Sequence, residues 1–344
     1  MKIGLGFRAE QRTDKDYIKF ASQIGVTHAV IAWPGKEILP SADKAPWSVE
    51  ELMDLRKFYE ENGVKIEGFE NFHPSTYYKA MLDLPGKKEH LDYLKTCISN
   101  MGKAGIPVMG YNPTFAGVIG RETGPFARGG AETVRFTLDK APINDPFPVG
   151  EFGKRIVIPD APKEDLPFVS LEENIQRRDW LLSELLPVAE EAGVKLAAHP
   201  EDPPIPVMRN TSRILINQQA YDDMFEKFKS PANCIEFCQG TFTEMGVDVY
   251  KAIEHFVKLD RVAYVHFRNV RGTIDHQYTE EWLDDGDVDM VRALKTYRDC
   301  GYKGLVMPDH TPLVSIDNAT AIGMSFAIGY IRGIMQSLDI EIEK

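Results

Sequence analysis

The sequence predicts an α/β fold of the (β/α)8 TIM barrel class, with a long insertion after strand four. Eight short apolar runs recur along the chain, and each is followed by a segment of helical length and periodicity. The length of 344 residues exceeds the roughly 250 of a plain eightfold barrel by the size of one insertion. The runs lie at 2–7, 27–32, 64–70, 106–111, 194–199, 234–239, 262–267 and 304–308, and most are rich in the Val, Ile, Phe and Tyr that buried strands require. Helical segments follow at 14–25, 49–62, 88–104, 171–192, 214–229, 247–258, 288–300 and 316–338. Parallel strands need crossovers, and eight right-handed crossovers close the sheet with the helices outside.

In the first unit the strand ends before Arg8, a candidate to bind a substrate hydroxyl or carboxylate. Gly4-Leu5-Gly6 lies within that strand and lacks the third glycine and opening helix of a dinucleotide fingerprint, so no nicotinamide or flavin is expected. The second run leads into Trp33-Pro34-Gly35, a loop anchor or an apolar platform for a sugar face. The third ends in Glu70 and continues to Asn71-Phe72-His73-Pro74, which makes Glu70 and His73 substrate-binding candidates. Asn112 follows the fourth strand and is a candidate for sugar hydroxyls. Residues 112–168 are rich in Gly and Pro, with a small hairpin expected around 132–138. A βα loop lies on the face where barrel enzymes bind substrate, so this insertion is expected to form a lid or pocket wall within one domain spanning 1–344.

The fifth run ends in His199, held by the turn Glu201-Asp202-Pro203-Pro204 and a candidate for proton transfer. The sixth carries Cys238 at its carboxyl end, and the seventh places His266 at the same height. Arg268 lies two residues further, on the same side if the strand persists, and its planar donor fork suits a carboxylate. The eighth strand delivers Asp309 and His310. Sulfur, nitrogen and oxygen donors together suit a divalent first-row metal rather than calcium or magnesium, so Cys238, His266, Asp309 and His310 are the expected ligands. Successive strand residues point to opposite faces, so Asp309 and His310 both bind only if the strand has ended, as Pro308 favours. If one alone binds, His310 is favoured and Asp309 is left as acid or base. The last helix carries small residues, Gly323 and Gly329 among them, and fits tight packing on the barrel or a subunit contact in a homo-oligomer.

Composition sets the broad class. With 43% hydrophobic and 27% charged residues, the chain can bury a sizeable core as an ordinary globular protein. A net charge of -12 disfavours nucleic acid and anionic membranes as partners and leaves a small acidic substrate open. The amino terminus enters a strand at once and no run approaches the ~20 apolar residues of a membrane span, so the cytoplasm is expected. Four cysteines without a disulfide-framework pattern agree, and Cys97, Cys234 and Cys300 read as small buried hydrophobes.

Several segments follow one another in order: Tyr93-Leu94-Lys95-Thr96, Gly105-Ile106-Pro107-Val108-Met109-Gly110-Tyr111-Asn112, His199-Pro200-Glu201-Asp202-Pro203-Pro204, Phe237-Cys238-Gln239-Gly240-Thr241, Val265-His266-Phe267-Arg268-Asn269-Val270, Gly286-Asp287-Val288-Asp289-Met290 and Pro308-Asp309-His310. Together they resemble the mannonate dehydratase family, built on a xylose-isomerase-like TIM barrel. The resemblance implies a lyase of hexuronate catabolism that converts D-mannonate to 2-keto-3-deoxy-D-gluconate and water with manganese(II) or iron(II) (Mn2+ or Fe2+). It gives Cys238, His266, Asp309 and His310 the family's metal-site positions. The chain departs from the family pattern at Met307, where Arg is usual, at Thr311, where Gly is usual, and at Ile119-Gly120-Arg121-Glu122, where the family usually carries Trp-Thr-Arg. Without that Arg the acid is held by other groups or the substrate differs.

Such a reaction removes a proton beside a carboxylate and expels a β-hydroxyl. The metal acts as electrophile, and His199 with Asp309 or His310 are the proton-transfer candidates. A divalent-metal sugar (acid) isomerase or epimerase on the same barrel is the second reading, distinguished by conserving the substrate's mass. A non-catalytic sugar-acid-binding protein is the third, and a full set of metal ligands argues against it.

Overall fold

Eight parallel strands close into a barrel in chain order: β1 (Lys2–Phe7), β2 (His28–Ala32), β3 (Lys65–Glu70), β4 (Val108–Tyr111), β5 (Lys195–Ala198), β6 (Asn233–Cys238), β7 (Val262–His266) and β8 (Leu305–Met307), which returns to pair with β1. This computed structural model describes residues 1–42, 44–115, 117–145, 151–152, 156–157 and 168–343. Two of the strands that are shorter than their apolar runs share one reason. Pro107 and Pro308 lack the N–H a ladder needs, so β4 starts after the first and β8 stops before the second.

Outside the strands lie helices α1 (Lys15–Gln23), α2 (Val49–Glu61), α3 (Lys87–Lys103), α4 (Leu171–Ala192), α5 (Gln218–Lys227), α6 (Val249–Lys258), α7 (Met290–Asp299) and α8 (Ala319–Ser337). Ser48 opens α2 and Ser170 opens α4 with capping boxes closed by Glu51 and Glu173, which fixes where each helix begins. The main core fills the space between helices and strands. In one part of it Phe237 of β6 stacks on Phe242 at 4.6 Å and meets Tyr297 of α7 edge-on.

Side chains pointing into the barrel form a second, smaller core of Val30, Val108, Ala197, Cys234, Tyr264, Leu305 and Met307 among others. Gly110 makes room for this layer: a Cβ there would lie 2.4 Å from the Tyr264 hydroxyl and 2.8 Å from Glu236 Oε2. The period-two alternation carries the same inward face upward along β6, through Cys234 and Glu236 to Cys238. In the register Glu236 lies opposite Tyr264, Cys238 opposite His266, and His266 opposite Met307.

Above the carboxyl ends of the strands sits a four-stranded antiparallel sheet in the order Asn269–Thr273, Gln277–Glu281, Ala131–Thr137 and Glu122–Ala127. The insertion contributes two strands, turning at Arg128–Gly130 where Gly129 and Gly130 take positive φ. The hairpin expected around 132–138 is thus the second arm of a longer one. The other two strands come from the loop after β7. Phe136 stacks on Tyr278 at 5.4 Å and joins the halves. Further along the insertion, Glu151–Phe152 pairs with Ile156–Val157, while 146–150, 153–155 and 158–167 lie outside the described residues. No helix among the described residues is long and apolar enough to cross a membrane.

Candidate metal centre

Three adjacent strands end at one place. His199 follows β5, Cys238 ends β6 and His266 ends β7, and one donor atom from each lies within 4.8 Å of the others. All three residues are buried. His199 Nδ1 lies 2.6 Å from the Pro200 carbonyl oxygen, which can only accept, so the ring proton belongs on Nδ1 and the lone pair on Nε2. Burial pulls the His199 pKa down, but Glu236 and Cys238 outweigh it and carry it up to about 9. At Cys238 burial pushes the thiol up, yet Arg268, His199 and His266 together hold it well below its ordinary value. The Thr241 hydroxyl donates to Sγ at 3.1 Å. These surroundings favour the thiolate, the form in which cysteine binds metal.

His266 lies between two carboxylates, with Nε2 3.1 Å from Glu236 Oε1 and Nδ1 3.3 Å from Asp309 Oδ2. Neither contact is aligned as a hydrogen bond, so both ring nitrogens are buried without a hydrogen-bond partner. Leaving such groups unmet in the interior costs on the order of 1–3 kcal/mol each. A cation bordered by thiolate, imidazole and carboxylate would meet one of these nitrogens, and the donor set is of the mixed kind that first-row divalent ions accept. The residues present therefore fit a metal.

Beneath this group is a second one, Glu70, Glu236 and His266. Glu236 is fully buried and neither of its oxygens is hydrogen-bonded. Burial, reinforced by Glu70 and opposed by His266 and His199, carries its pKa up to about 7. Glu70 goes the other way: burial raises it, but His266 and Arg8 bring it down to about 2. Sequence reasoning missed Glu236, although its signal was present. It stands two residues before Cys238, on the same face of β6.

The strand β8 has ended when the chain reaches Asp309 and His310, so both neighbours reach the cleft. Asp309 turns inward, where Oδ1 accepts from Arg8 Nη2 at 2.8 Å and Oδ2 borders His266. Burial alone would raise its carboxyl; His266, His310 and Arg8 hold it well below the usual range. His310 keeps a quarter of its side chain exposed, with Nε2 3.3 Å from Asp309 Oδ1 and Nδ1 3.1 Å from Glu280 Oε2. Arg8, Trp33, Glu70, Asn112, His199 and His266 line the same cleft, and Asn112 is steadied by donating to Asn71 Oδ1 at 3.1 Å.

Two expected residues are placed elsewhere. Arg268 is 1% exposed, and its guanidinium is committed to Asp202 and Glu244, each at 2.7 Å, and to the Thr241 hydroxyl at 3.0 Å. It braces the floor behind Cys238 instead of facing the cleft, because the chain turns after His266 and the strand does not persist. His73 caps the short helix Pro74–Thr76, with Nδ1 2.7 Å from the Ser75 hydroxyl. Cys97 and Cys234 are buried as expected, and Cys300 is half-buried.

The profile of the D-mannonate dehydratase (UxuA) family matches residues 16–344. A mannonate dehydratase of Streptococcus equi subsp. zooepidemicus is 30% identical over 280 residues, covering 77% of this chain and 74% of that protein. One of Thermotoga petrophila is 29% identical over 318 residues, covering 85% and 87%. The crystal structure of mannonate dehydratase from Streptococcus suis serotype 2 matches with a TM-score of 0.81 at 24% identity, over 100% of this chain and 96% of that one. A xylose isomerase domain protein from Planctomyces limnophilus matches with a TM-score of 0.61 at 12% identity over 98% of each chain, a likeness of fold alone. Matched by the family profile from near its first helix to its last residue, this chain belongs to the D-mannonate dehydratase family, on a barrel of the xylose isomerase type.

Proposed function

We propose that this protein removes water from D-mannonate to give 2-keto-3-deoxy-D-gluconate, using a manganese(II) or iron(II) ion held by His199, Cys238, His266 and Asp309. The observation that carries the reading is the convergence of His199, Cys238 and His266 within 4.8 Å in a chain of this family. Asp309 joins them because its Oδ2 borders His266 Nδ1 at 3.3 Å. This assignment exchanges two roles expected from sequence. His199 becomes a ligand, since Nδ1 is tied to Pro200 and Nε2 is left for the ion. His310 becomes the proton carrier, since it lies outside the group of His199, Cys238 and His266 and keeps a quarter of its side chain exposed at the cleft, where its Nε2 borders Asp309 Oδ1 at 3.3 Å.

Bound there, the ion would supply positive charge to the substrate's oxygens and to the negative charge that develops as the proton beside the carboxylate leaves. It also suits the local electrostatics: Glu70, Glu236, Asp309 and the Cys238 thiolate would otherwise repel an acid substrate. Among the described residues Arg8 is the arginine lining the cleft; its Nη2 is given to Asp309, and the rest of its planar fork suits the substrate carboxylate in place of Arg268. Asn112 offers its amide to a sugar hydroxyl. His310 Nε2 takes the proton from C2 or delivers one to the C3 hydroxyl. The C3–O bond breaks, water departs, and the enol left behind rearranges to the 2-keto acid. The sheet above the strand ends serves as the lid. Free cysteines and a thiolate ligand suit a reducing cytoplasm.

The test is anaerobic loading with manganese(II) or iron(II), followed by incubation with D-mannonate. One 2-keto-3-deoxy acid is expected per substrate consumed. A product of unchanged mass, or no turnover by metal-loaded protein, would overturn the proposal.

A further inference from the structure

We infer that Glu280, carried on the sheet above the barrel rather than on the barrel itself, is a positioning residue that orients His310 for proton transfer. The inference rests on the reading of His310 as the proton carrier. Both Glu280 oxygens lie within reach of His310 Nδ1, at 3.2 and 3.1 Å, and Glu280 is only 4% exposed. A carboxylate facing Nδ1 holds the rotation of the ring and favours the tautomer protonated there, while Nε2 on the other side of the ring lies at the cleft, 3.3 Å from Asp309 Oδ1.

Glu280 is itself held on every side. Arg121 Nη1 donates to its Oε1 at 2.5 Å, and Arg268 Nη1 lies 3.5 Å from the same oxygen. The Thr133 hydroxyl donates to the Glu280 backbone carbonyl at 3.0 Å. Two residues earlier on the strand, the Tyr278 hydroxyl donates to Asp202 Oδ1 at 2.8 Å, which ties the sheet to the loop after β5. Burial favours the neutral acid, but His310, Arg121 and Arg268 outweigh it and keep Glu280 ionised.

The arrangement joins three distant parts of the chain. His310 follows β8, Glu280 comes from the loop after β7, and Arg121 comes from the insertion after β4. The orientation of the proton carrier therefore depends on the upper sheet being in place.

The test compares full-length, manganese-loaded wild type with Glu280→Gln, Glu280→Asp and His310→Asn on D-mannonate. His310→Asn is expected to lose at least about 100-fold in kcat. Glu280→Gln is expected to lose on the order of 100-fold in kcat, with KM and bound manganese within about twofold of wild type. Glu280→Asp keeps the charge facing Arg121 but draws the carboxylate back from the ring, and it should fold and load metal normally while losing kcat. Full kcat in either Glu280 variant beside an inactive His310→Asn overturns the role of Glu280 and leaves the dehydratase reading intact. An active His310→Asn removes the premise. Equal loss of kcat, manganese and melting temperature in both Glu280 variants marks a merely structural role and also overturns the inference. A second arm uses metal-free protein labelled with 15N-histidine, with His310 assigned by its loss in His310→Asn. The expected signature is a proton fixed on Nδ1 in wild type and a changed resonance in Glu280→Gln, and identical spectra contradict it. If wild type makes no keto acid, the dehydratase reading fails alone and the spectra still decide the Glu280 contact.

Discussion

Glu236 lies directly beneath His266, and its Oε1 faces Nε2 at 3.1 Å while Nδ1 on the far side of the ring faces Asp309. Metal-bound histidines commonly give their second ring N–H to a carboxylate, which fixes the ring and strengthens the ligand. Glu236→Gln is therefore expected to weaken manganese binding by about 10- to 100-fold in equilibrium dialysis; unchanged affinity would contradict that role. Its raised pKa also sets a pH dependence. The folded, metal-free protein holds this proton up to about 7, whereas an ordinary carboxyl loses it near 4.5. The stability linked to the proton is complete below the ordinary value and is lost as pH rises through that window. Denaturant unfolding of metal-free wild type should show this loss, and Glu236→Gln should show less of it. An equal slope in both would place the charge elsewhere. Cys238 and His266 were legible because strand ends on one face announce a site. Which of Asp309 and His310 turns inward was not, because beyond Pro308 no strand period governs direction.

The strands show why a small residue is required beside that carboxylate. Gly110 of β4 faces the Tyr264 hydroxyl and Glu236 so closely that any Cβ would press on both. Gly110→Ala is expected to destabilise the protein by about 1–3 kcal/mol, as overpacked interiors do, and to displace Glu236. Chemical denaturation checks the first effect and manganese affinity the second; wild-type behaviour in both would contradict the close approach. Period and length sufficed to place all eight barrel strands, and Pro107 and Pro308 explain the differences at the start of β4 and the end of β8. The pair Asn269–Thr273 and Gln277–Glu281 escaped notice because its alternation is polar and its third partner, Ala131–Thr137, lies far away in sequence. Strand preference of that kind comes from the neighbours the fold supplies.

Across the molecule, the barrel collects acidic groups at one end and closes them under a sheet assembled from two loops. The repeat of eight units made the barrel readable, and the surplus length located half of the sheet. Its other half, and the chain of contacts from Arg121 through Glu280 to His310, depend on tertiary placement that no local pattern reports. A negatively charged protein with a carboxylate-lined cleft needs a cation to receive an acid, and in the proposed assignment Cys238 would give that cation a distinctive ligand. Anaerobic titration of metal-free protein with cobalt(II) reads this ligand, since a thiolate bound to cobalt produces sulfur-to-metal charge-transfer absorption in the near ultraviolet. Wild type is expected to develop that band to one equivalent and Cys238→Ser to lack it. Cobalt binding without the band in wild type, or an identical band in the variant, would contradict a centre built on Cys238.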